Sequence, residues 1–442
     1  MNVEVENLPN CLASLRIELP PERVKKERSE VAQDIRKLAR IPGFRLGKAP
    51  APVVEAKFRK EIEDKLTRKL VSEGTREAIR EKNLKVLSVS EVEDVEFGPD
   101  QTMRFTATLI TAPEFELPEY KGIRVAVGPA DVTEDEVEEA LETLRERQAS
   151  FTEVEGRPVE MNDFAVLDYE TTLDGQPLLE TVPAAPKRLA GGKDFWVKLD
   201  EDAIVPGFAA ELMGAHVGET REFDNVTAPD FAAPELAART LHFKVTVKGL
   251  KQMNLPVLDD AFASQIVPNF DLAKLRQVMR VQLESDKRMK VEGSKRDQVV
   301  SYLVNHVECE LPQAYVKDET RRVMSEIVQQ NQTRGVPEDV LRENQKEIVT
   351  IASRSAKDRL KANFILLRIA DQEGVTVTPQ DLKARVETLA AQYRTTYEKT
   401  MAQLDSRGLI AEVREELLVG KVLDFLTSNA TVETSSEGVE ND

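Results

Sequence analysis

Gly43-Phe-Arg-Leu-Gly-Lys-Ala-Pro50, here called the basic loop, lies between two segments of helical hydrophobic spacing and presents one aromatic side chain and two cations. From Arg36 to Lys60 there are eight basic residues and one acidic residue, in a chain whose formal net charge is -18. Cations bind RNA by displacing counterions from its phosphates, and an aromatic ring can enter an apolar niche on a protein. The basic loop is therefore a candidate binding site. The simpler alternative is a glycine turn with Phe44 folded back onto its own helices, and composition alone favours neither.

The patterns on both sides of the basic loop predict an α+β domain over residues 1–112. Proline at the start and an acidic first turn mark the first helix, and period-2 alternation marks the strands. The expected elements are a strand over 12–19, a helix from Pro21 to about Leu38, a helix through Ile62 and Ile79, and strands over 85–97 and 103–111.

A β-rich domain is expected over residues 151–250, because short alternating strands such as 164–169 and 241–247 are separated there by Gly and Pro turns. A capping-box pattern at Thr133-Glu-Asp-Glu136 predicts a preceding helix that ends near Phe151.

From residue 251 to about 430 the pattern is almost entirely helical, with breaks at Pro268, Pro312, Pro337 and Pro379. Apolar positions are sparse on these helices, which predicts grooves and partly exposed hydrophobic side chains that can hold unfolded chains. Ordinary packing between helices explains any single one of these residues equally well. Residues 431–442 have little to bury and predict a disordered acidic tail.

Length, composition and the spacing of cysteines and histidines limit the classes of protein to which this chain can belong. A chain of 442 residues is expected to form about three domains. The acidic N-terminal sequence lacks the pattern of a signal peptide, and no stretch approaches about 18 uninterrupted apolar residues, which predicts a cytoplasmic protein without membrane contact. Cys11 and Cys309 form no CxxC motif and the three histidines lie singly, so no metal site, disulfide framework or catalytic triad is expected.

The basic loop closely resembles the characteristic loop of the trigger factor family, Gly-Phe-Arg-x-Gly-Lys-x-Pro. In that family the loop contacts the large ribosomal subunit, through protein and rRNA, beside the tunnel exit. The residues assigned to ribosome binding by position are Gly43, Phe44, Arg45, Gly47 and Lys48. Leu46 stands where many members have Lys or Pro, so docking strength is expected to differ. Ala49 follows the lysine where a nucleotide phosphate loop requires Ser or Thr, which argues against a nucleotide site.

Residues 151–250 resemble an FK506-binding-protein-type prolyl isomerase. The motifs that carry the resemblance are Asp168-Tyr169, Asp174-Gly175, Ile204-Val-Pro-Gly-Phe208, Gly218-Glu219, Pro229-Asp-Phe231 and Leu241-His-Phe243. By that resemblance a proline-binding groove is lined by eight residues, here called the groove residues: Tyr169, Leu178, Phe195, Ile204, Val205, Phe208, Phe231 and Phe243. The Val205 amide is expected to face a substrate carbonyl. Leu178 replaces the usual aromatic and Leu179 the usual acid, which argues against tight binding of macrolide inhibitors. From composition alone, such an aromatic cluster is more often a core than a pocket.

Segments 111–122 and 255–262 resemble those that flank an inserted isomerase domain in trigger factors. The resemblance therefore implies an α+β multidomain protein with an all-α chaperone domain, carrying arms and formed from residues 113–150 and 251–430. The implied function is that of an ATP-independent, ribosome-associated chaperone that shelters nascent polypeptides, isomerises their prolyl bonds without a cofactor, and forms a homodimer off the ribosome. Two alternatives remain, which are a standalone isomerase with other folded partners and a chaperone whose isomerase domain is inactive.

Overall fold

The computed structural model describes residues 1–38, 42, 44, 48–183, 185–201, 203–229, 231 and 233–434, apart from the side chains of Pro234 and Thr434. The chain divides into two compact units. The first unit comprises Met1–Pro129 and Val291–Asp442, and the second comprises Ala130–Lys290.

The N-terminal part of the first unit is a four-stranded antiparallel sheet of order β1-β2-β4-β3 with helices packed on it. Its elements are β1 (Asn2–Leu8), β2 (Leu12–Leu19), α1 (Pro21–Leu38), α2 (Ala51–Lys57), α3 (Arg59–Glu81), β3 (Val86–Phe97) and β4 (Met103–Thr111), with β5 (Arg124–Val127) following. Alternate residues of β2 point inward, where Leu15 and Leu70 pack with Phe105. The predicted strands and helices are confirmed. The pattern did not predict β1, because Val3 is its only buried residue and the amphipathic signal is weak.

The second unit is built on a six-stranded antiparallel sheet in which β10, β11, β7 and β8 lie in that order, while β6 pairs with β11 and β9 with β7. Its elements are α4 (Glu134–Arg147), β6 (Ser150–Val154), β7 (Phe164–Leu173), β8 (Gln176–Pro177), α5 (Leu178–Thr181), α6 (Lys187–Ala190), β9 (Gly191–Lys198), α7 (Phe208–Leu212), β10 (Thr220–Val226), β11 (Thr240–Asn254), α8 (Asp260–Ile266) and the first part of α9 (Leu272–His306). The capping box at Thr133 is confirmed. The helix it begins ends at Arg147, earlier than predicted, because Ser150–Val154 pairs with β11.

The C-terminal part of the first unit is helical, as predicted. Its elements after α9 are α10 (Gln313–Thr333), α11 (Glu338–Glu343), α12 (Gln345–Glu373), α13 (Pro379–Gln392), α14 (Tyr397–Ser406), α15 (Ile410–Ser428) and the strand β12 (Thr431–Thr434). Proline breaks separate them where the sequence predicted, since Pro312 and Pro337 precede α10 and α11 and Pro379 begins α13. A core from α9, α12 and α15 includes Leu303, Ile365 and Leu426.

The prediction of a disordered tail over 431–442 is wrong for its first four residues. Thr431–Thr434 form β12, which pairs in parallel with β5, and the Thr431 amide donates to the Ile123 carbonyl at 2.9 Å. A four-residue strand with little to bury gives almost no hydrophobic signal, because its stability comes from main-chain hydrogen bonds. Residues 435–442 lie outside the described residues. None of the described helices has both the length and the apolar character needed to cross a membrane.

Candidate functional site

The eight groove residues come from separate elements of the second unit, and the structure brings them together. Tyr169 lies on β7, Leu178 begins α5, Phe195 lies on β9, Ile204 and Val205 precede α7, Phe208 begins α7, Phe231 follows β10, and Phe243 lies on β11. Seven of them belong to or pack against one hydrophobic cluster. The eighth, Phe195, joins through Tyr169, with ring centroids 5.7 Å apart in edge-to-face geometry.

Phe208 is the centre of this cluster. Its ring centroid lies 6.2 Å from that of Tyr169, 5.3 Å from that of Phe243 and 5.5 Å from that of Phe223. Edge-to-face contacts of this kind are favourable because the positive edge of one ring meets the negative face of another. Sequence reasoning did not include Phe223, which stacks on Phe243. The signal that would find it is strand register, since Phe223 on β10 lies directly opposite Phe243 on β11.

Burial separates the groove residues into a floor and a rim. Phe208, Phe243, Val205 and Leu178 are buried and form the floor, and Tyr169, which is also buried, forms a wall. The rim consists of Phe195, which is 38% exposed, and the partly buried Ile204 and Phe231. Leu178 therefore belongs to the packed floor and does not present a surface of its own.

The polar end of Tyr169 is hydrogen-bonded within the protein. Its hydroxyl donates a hydrogen bond to the Arg188 carbonyl. Burial raises the pKa of Tyr169, and the charge of Arg188 offsets part of the rise, so the phenol stays neutral at physiological pH. Tyr169 is therefore an apolar wall with a satisfied polar end and not an acid or base.

The turn that carries Ile204 and Val205 differs from the expectation. The Val205 amide, expected to face a substrate, donates to the Ala203 carbonyl at 2.6 Å. Ile204, between these two residues, has φ +56°, which is unfavourable for a β-branched side chain. The amide is thus occupied by a short internal hydrogen bond across a strained residue.

The basic loop is described only in part, because Gly43, Arg45 and Gly47 lie outside the described residues. Phe44 is 44% exposed and Lys48 is exposed, which argues against a Phe44 folded back onto its own helices. Ala49 is buried against a small core with Val54 and Ile62, and α2 begins directly after Pro50. The C-terminal end of the loop is therefore fixed.

The described part of the chain contains neither a cluster of metal ligands nor an activated thiol. No group of three or more His, Cys, Asp or Glu side chains there is placed to hold a metal ion. Cys11 and Cys309 are free thiols, and burial raises the pKa of each, so neither is an activated nucleophile. The Cys11 thiol donates to the Glu310 carbonyl at 3.2 Å.

Three family models match the chain along its length. Residues 1–144 match the model described as bacterial trigger factor protein, residues 155–248 the FKBP-type peptidyl-prolyl cis-trans isomerase model, and residues 271–428 the model for the trigger factor C-terminus. The chain is 35% identical to a trigger factor of Akkermansia muciniphila, over 98% of this chain and 99% of that protein. It is 32% identical to a trigger factor of Opitutus terrae over the same shares, and 30% identical to one of a Nostoc species over 99% of this chain and 94% of that protein.

This chain belongs to the trigger factor family. A trigger factor with an FKBP-type domain is a ribosome-associated chaperone that acts on nascent chains and catalyses peptidyl-prolyl cis-trans isomerisation. The isomerase model covers all the groove residues, and the N-terminal trigger factor model covers the basic loop. Both functional regions predicted from sequence therefore lie in family domains of the corresponding kind.

Proposed function

We propose that the groove of this protein catalyses isomerisation with the proline ring seated among the rim residues Phe195, Ile204 and Phe231, above the buried floor that contains Phe208. The observation that supports this most directly is the partly exposed apolar rim, which lies over the packed ring cluster around Phe208. Such a surface suits a proline side chain, because it binds an apolar ring and excludes water.

No acid, base or nucleophile is needed for this reaction. The barrier of about 18–20 kcal/mol comes from the resonance of the peptide bond, and it falls when the amide is desolvated and its twisted form is bound better than either planar form. Tyr169, whose phenol is neutral and bonded to the Arg188 carbonyl, supplies no proton here. The groove acts by shape and by its low polarity.

The Val205 amide takes part by exchanging its partner. It gives up the Ala203 carbonyl and donates to the substrate carbonyl, and the strain at Ile204 lowers the free-energy difference between the two states. The exchange keeps the amide hydrogen-bonded throughout, which avoids leaving a buried donor without a partner.

The basic loop is proposed to dock the protein on the large ribosomal subunit at the tunnel exit. Phe44 enters an apolar niche on a ribosomal protein, while Arg45 and Lys48 contact rRNA phosphates and Gly43 and Gly47 shape the loop. The exposure of Phe44 and Lys48, next to a fixed Ala49, supports this role. The location is then the cytoplasm, and a protein released from the ribosome is proposed to form a homodimer.

Co-sedimentation with ribosomes tests the docking proposal. The triple variant Phe44→Ala, Arg45→Ala, Lys48→Ala is compared with a matched triple, Phe97→Ala, Lys82→Ala, Lys85→Ala, which removes the same charge and a phenylalanine that is also 44% exposed. Loss of binding in the first triple alone supports the proposal. Equal retention by both triples would reject it and favour a standalone isomerase.

The helical part of the first unit is proposed to hold clients. Between α10, α11 and α12 lies a groove whose apolar members, Met324, Val328, Leu341 and Ile348, are partly exposed and are surrounded by glutamines such as Gln329 and Gln345. Scattered apolar contacts with a polar surround bind extended chains without sequence preference. We assign residues 1–112 to ribosome binding, 151–250 to isomerisation, and 113–150 with 251–430 to client holding.

A further inference from the structure

The two loops that supply rim residues to the groove are held by neighbouring residues at one end of β10. The first rim loop, Ala203–Gly207, carries Ile204 and Val205. The second rim loop, Ala228–Arg239, carries Phe231. Asn225 is 8% exposed and Thr227 is 2% exposed, so both are buried polar residues.

Asn225 holds the first rim loop. Its Nδ2 donates to the Pro206 carbonyl at 3.1 Å, two residues after the strained Ile204. A positive φ at a β-branched residue persists only where the surrounding contacts fix the backbone. The Asn225 side chain is such a contact, because it is buried at the end of β10 and joins that strand to the exposed Pro206 in the first rim loop.

Thr227 is hydrogen-bonded to the second rim loop on both sides of Ala238, another residue with a strained backbone. Its hydroxyl donates to the Leu236 carbonyl and accepts from the Arg239 amide at 3.1 Å, while the Thr227 amide donates to the Arg239 carbonyl at 3.0 Å. Between these partners Ala238 has φ +52°. The hydroxyl therefore closes the base of the loop that carries Phe231.

We propose that Asn225 and Thr227 are positioning residues for isomerisation, which fix the two rim loops so that Ile204, Val205 and Phe231 meet the twisted peptide in one arrangement. The inference rests on the proposed groove and adds two residues that touch no substrate. Asn225 lies near the end of β10 and Thr227 follows that strand directly, so a shift of β10 would move both rim loops together.

The test compares variants of the full chain that remove one hydrogen-bonding group each. Asn225→Leu removes the amide donor, Thr227→Val removes the hydroxyl at constant shape, and Thr227→Ser keeps the hydroxyl. The matched control is Thr171→Val, because Thr171 is equally buried on β7 but its hydroxyl has no hydrogen-bond partner among the described residues. Trp196, the single tryptophan of the chain, reports folding of the second unit by its fluorescence.

At temperatures where Trp196 fluorescence shows each variant folded, kcat and KM are measured on a short peptide with one X-Pro bond. We expect Asn225→Leu and Thr227→Val to lower kcat by about tenfold to a hundredfold, with a smaller change in KM, because the loops lose their reactive arrangement. Thr227→Ser should stay within about twofold of the parent, because its hydroxyl keeps both partners. Thr171→Val should match the parent.

Unchanged kcat in the folded Asn225→Leu and Thr227→Val variants overturns the inference, as does a loss in Thr171→Val of the same size. The variant Phe208→Ala separates this outcome from failure of the groove itself. If Phe208→Ala loses activity while Asn225→Leu and Thr227→Val keep it, the groove stands and only the positioning role fails. If Phe208→Ala also keeps full activity, the groove is not the site.

Discussion

Phe208 in the groove and Phe44 in the basic loop are the same residue type in opposite surroundings. Phe208 is fully buried and touches three other aromatic rings, whereas Phe44 in the basic loop is 44% exposed. A substitution at Phe208 should therefore affect folding together with the catalysis proposed for the groove, while a substitution at Phe44 should affect only the binding proposed for the basic loop. Substitutions in the two regions should consequently separate stability from function in the loop and combine them in the groove.

The largest expected effect is on the groove side. Phe208→Ala should destabilise the second unit by about 3–5 kcal/mol, because it removes a buried ring and leaves a cavity. Urea unfolding followed by Trp196 fluorescence measures this change, and proline-limited refolding of a client should slow in parallel. A loss below about 1 kcal/mol would mean that the ring cluster is not the core of the unit.

A smaller effect on stability is expected from the ion pair between Arg157 and Asp163 in the second unit. Arg157 contacts both carboxylate oxygens of the buried Asp163 at 2.7 Å, and the Glu160 amide donates to it at 2.9 Å. Burial acts to raise the pKa of Asp163, but the Arg157 and Glu160 hydrogen bonds prevail and lower it. The folded pKa of Asp163 lies below the unfolded value of about 3.9. The contribution of the ionised Asp163 to the free energy of unfolding is therefore fully present above about pH 3.9 and is lost as the pH falls through the folded pKa.

Asp163→Asn should therefore cost about 2 kcal/mol at pH 7 and less at pH 3, because pH 3 lies below the unfolded pKa and the contribution of the ionised carboxylate has begun to fall. The measurement is urea unfolding of both proteins at the two pH values, with Trp196 fluorescence as the signal. A difference that stays constant between pH 7 and pH 3 would show that the ion pair does not set the pH dependence.

The smallest effect on stability is expected in the basic loop. Lys48→Ala should change the free energy of unfolding by less than about 0.5 kcal/mol, because the side chain is exposed. Ribosome affinity should weaken, and the slope of log affinity against log salt should fall by about 0.7–0.9, because one fewer counterion is released. A slope that does not change would place Lys48 away from the phosphates.

The contrast between the basic loop and the groove also explains which features could be predicted from the sequence. The basic loop could be predicted as a binding site because its signals are local, namely two glycines within eight residues and a reversal of charge between Arg36 and Lys60. The groove residues were found by resemblance, but Phe223 was missed because its role depends on the register of β10 against β11. The internal hydrogen bond of the Val205 amide and the anchors at Asn225 and Thr227 join residues that no spacing rule connects.

The tail illustrates a second limit. Thr431–Thr434 carry no hydrophobic pattern, yet they pair with β5, which is more than 300 residues earlier in the chain. Main-chain pairing of this kind is invisible to side-chain periodicity, because any residue with a free amide and carbonyl can take part. Long helices bounded by proline, in contrast, were predicted closely because both signals are local.

The central claim is that docking and isomerisation occupy separate surfaces with separate structural demands. Peptide isomerisation by the Phe44→Ala, Arg45→Ala, Lys48→Ala triple variant tests it most directly. We expect kcat/KM within about twofold of the parent, because each substituted residue is far in sequence from the groove and belongs to a different compact unit. A fall in kcat/KM that matches the loss of ribosome binding would contradict the account.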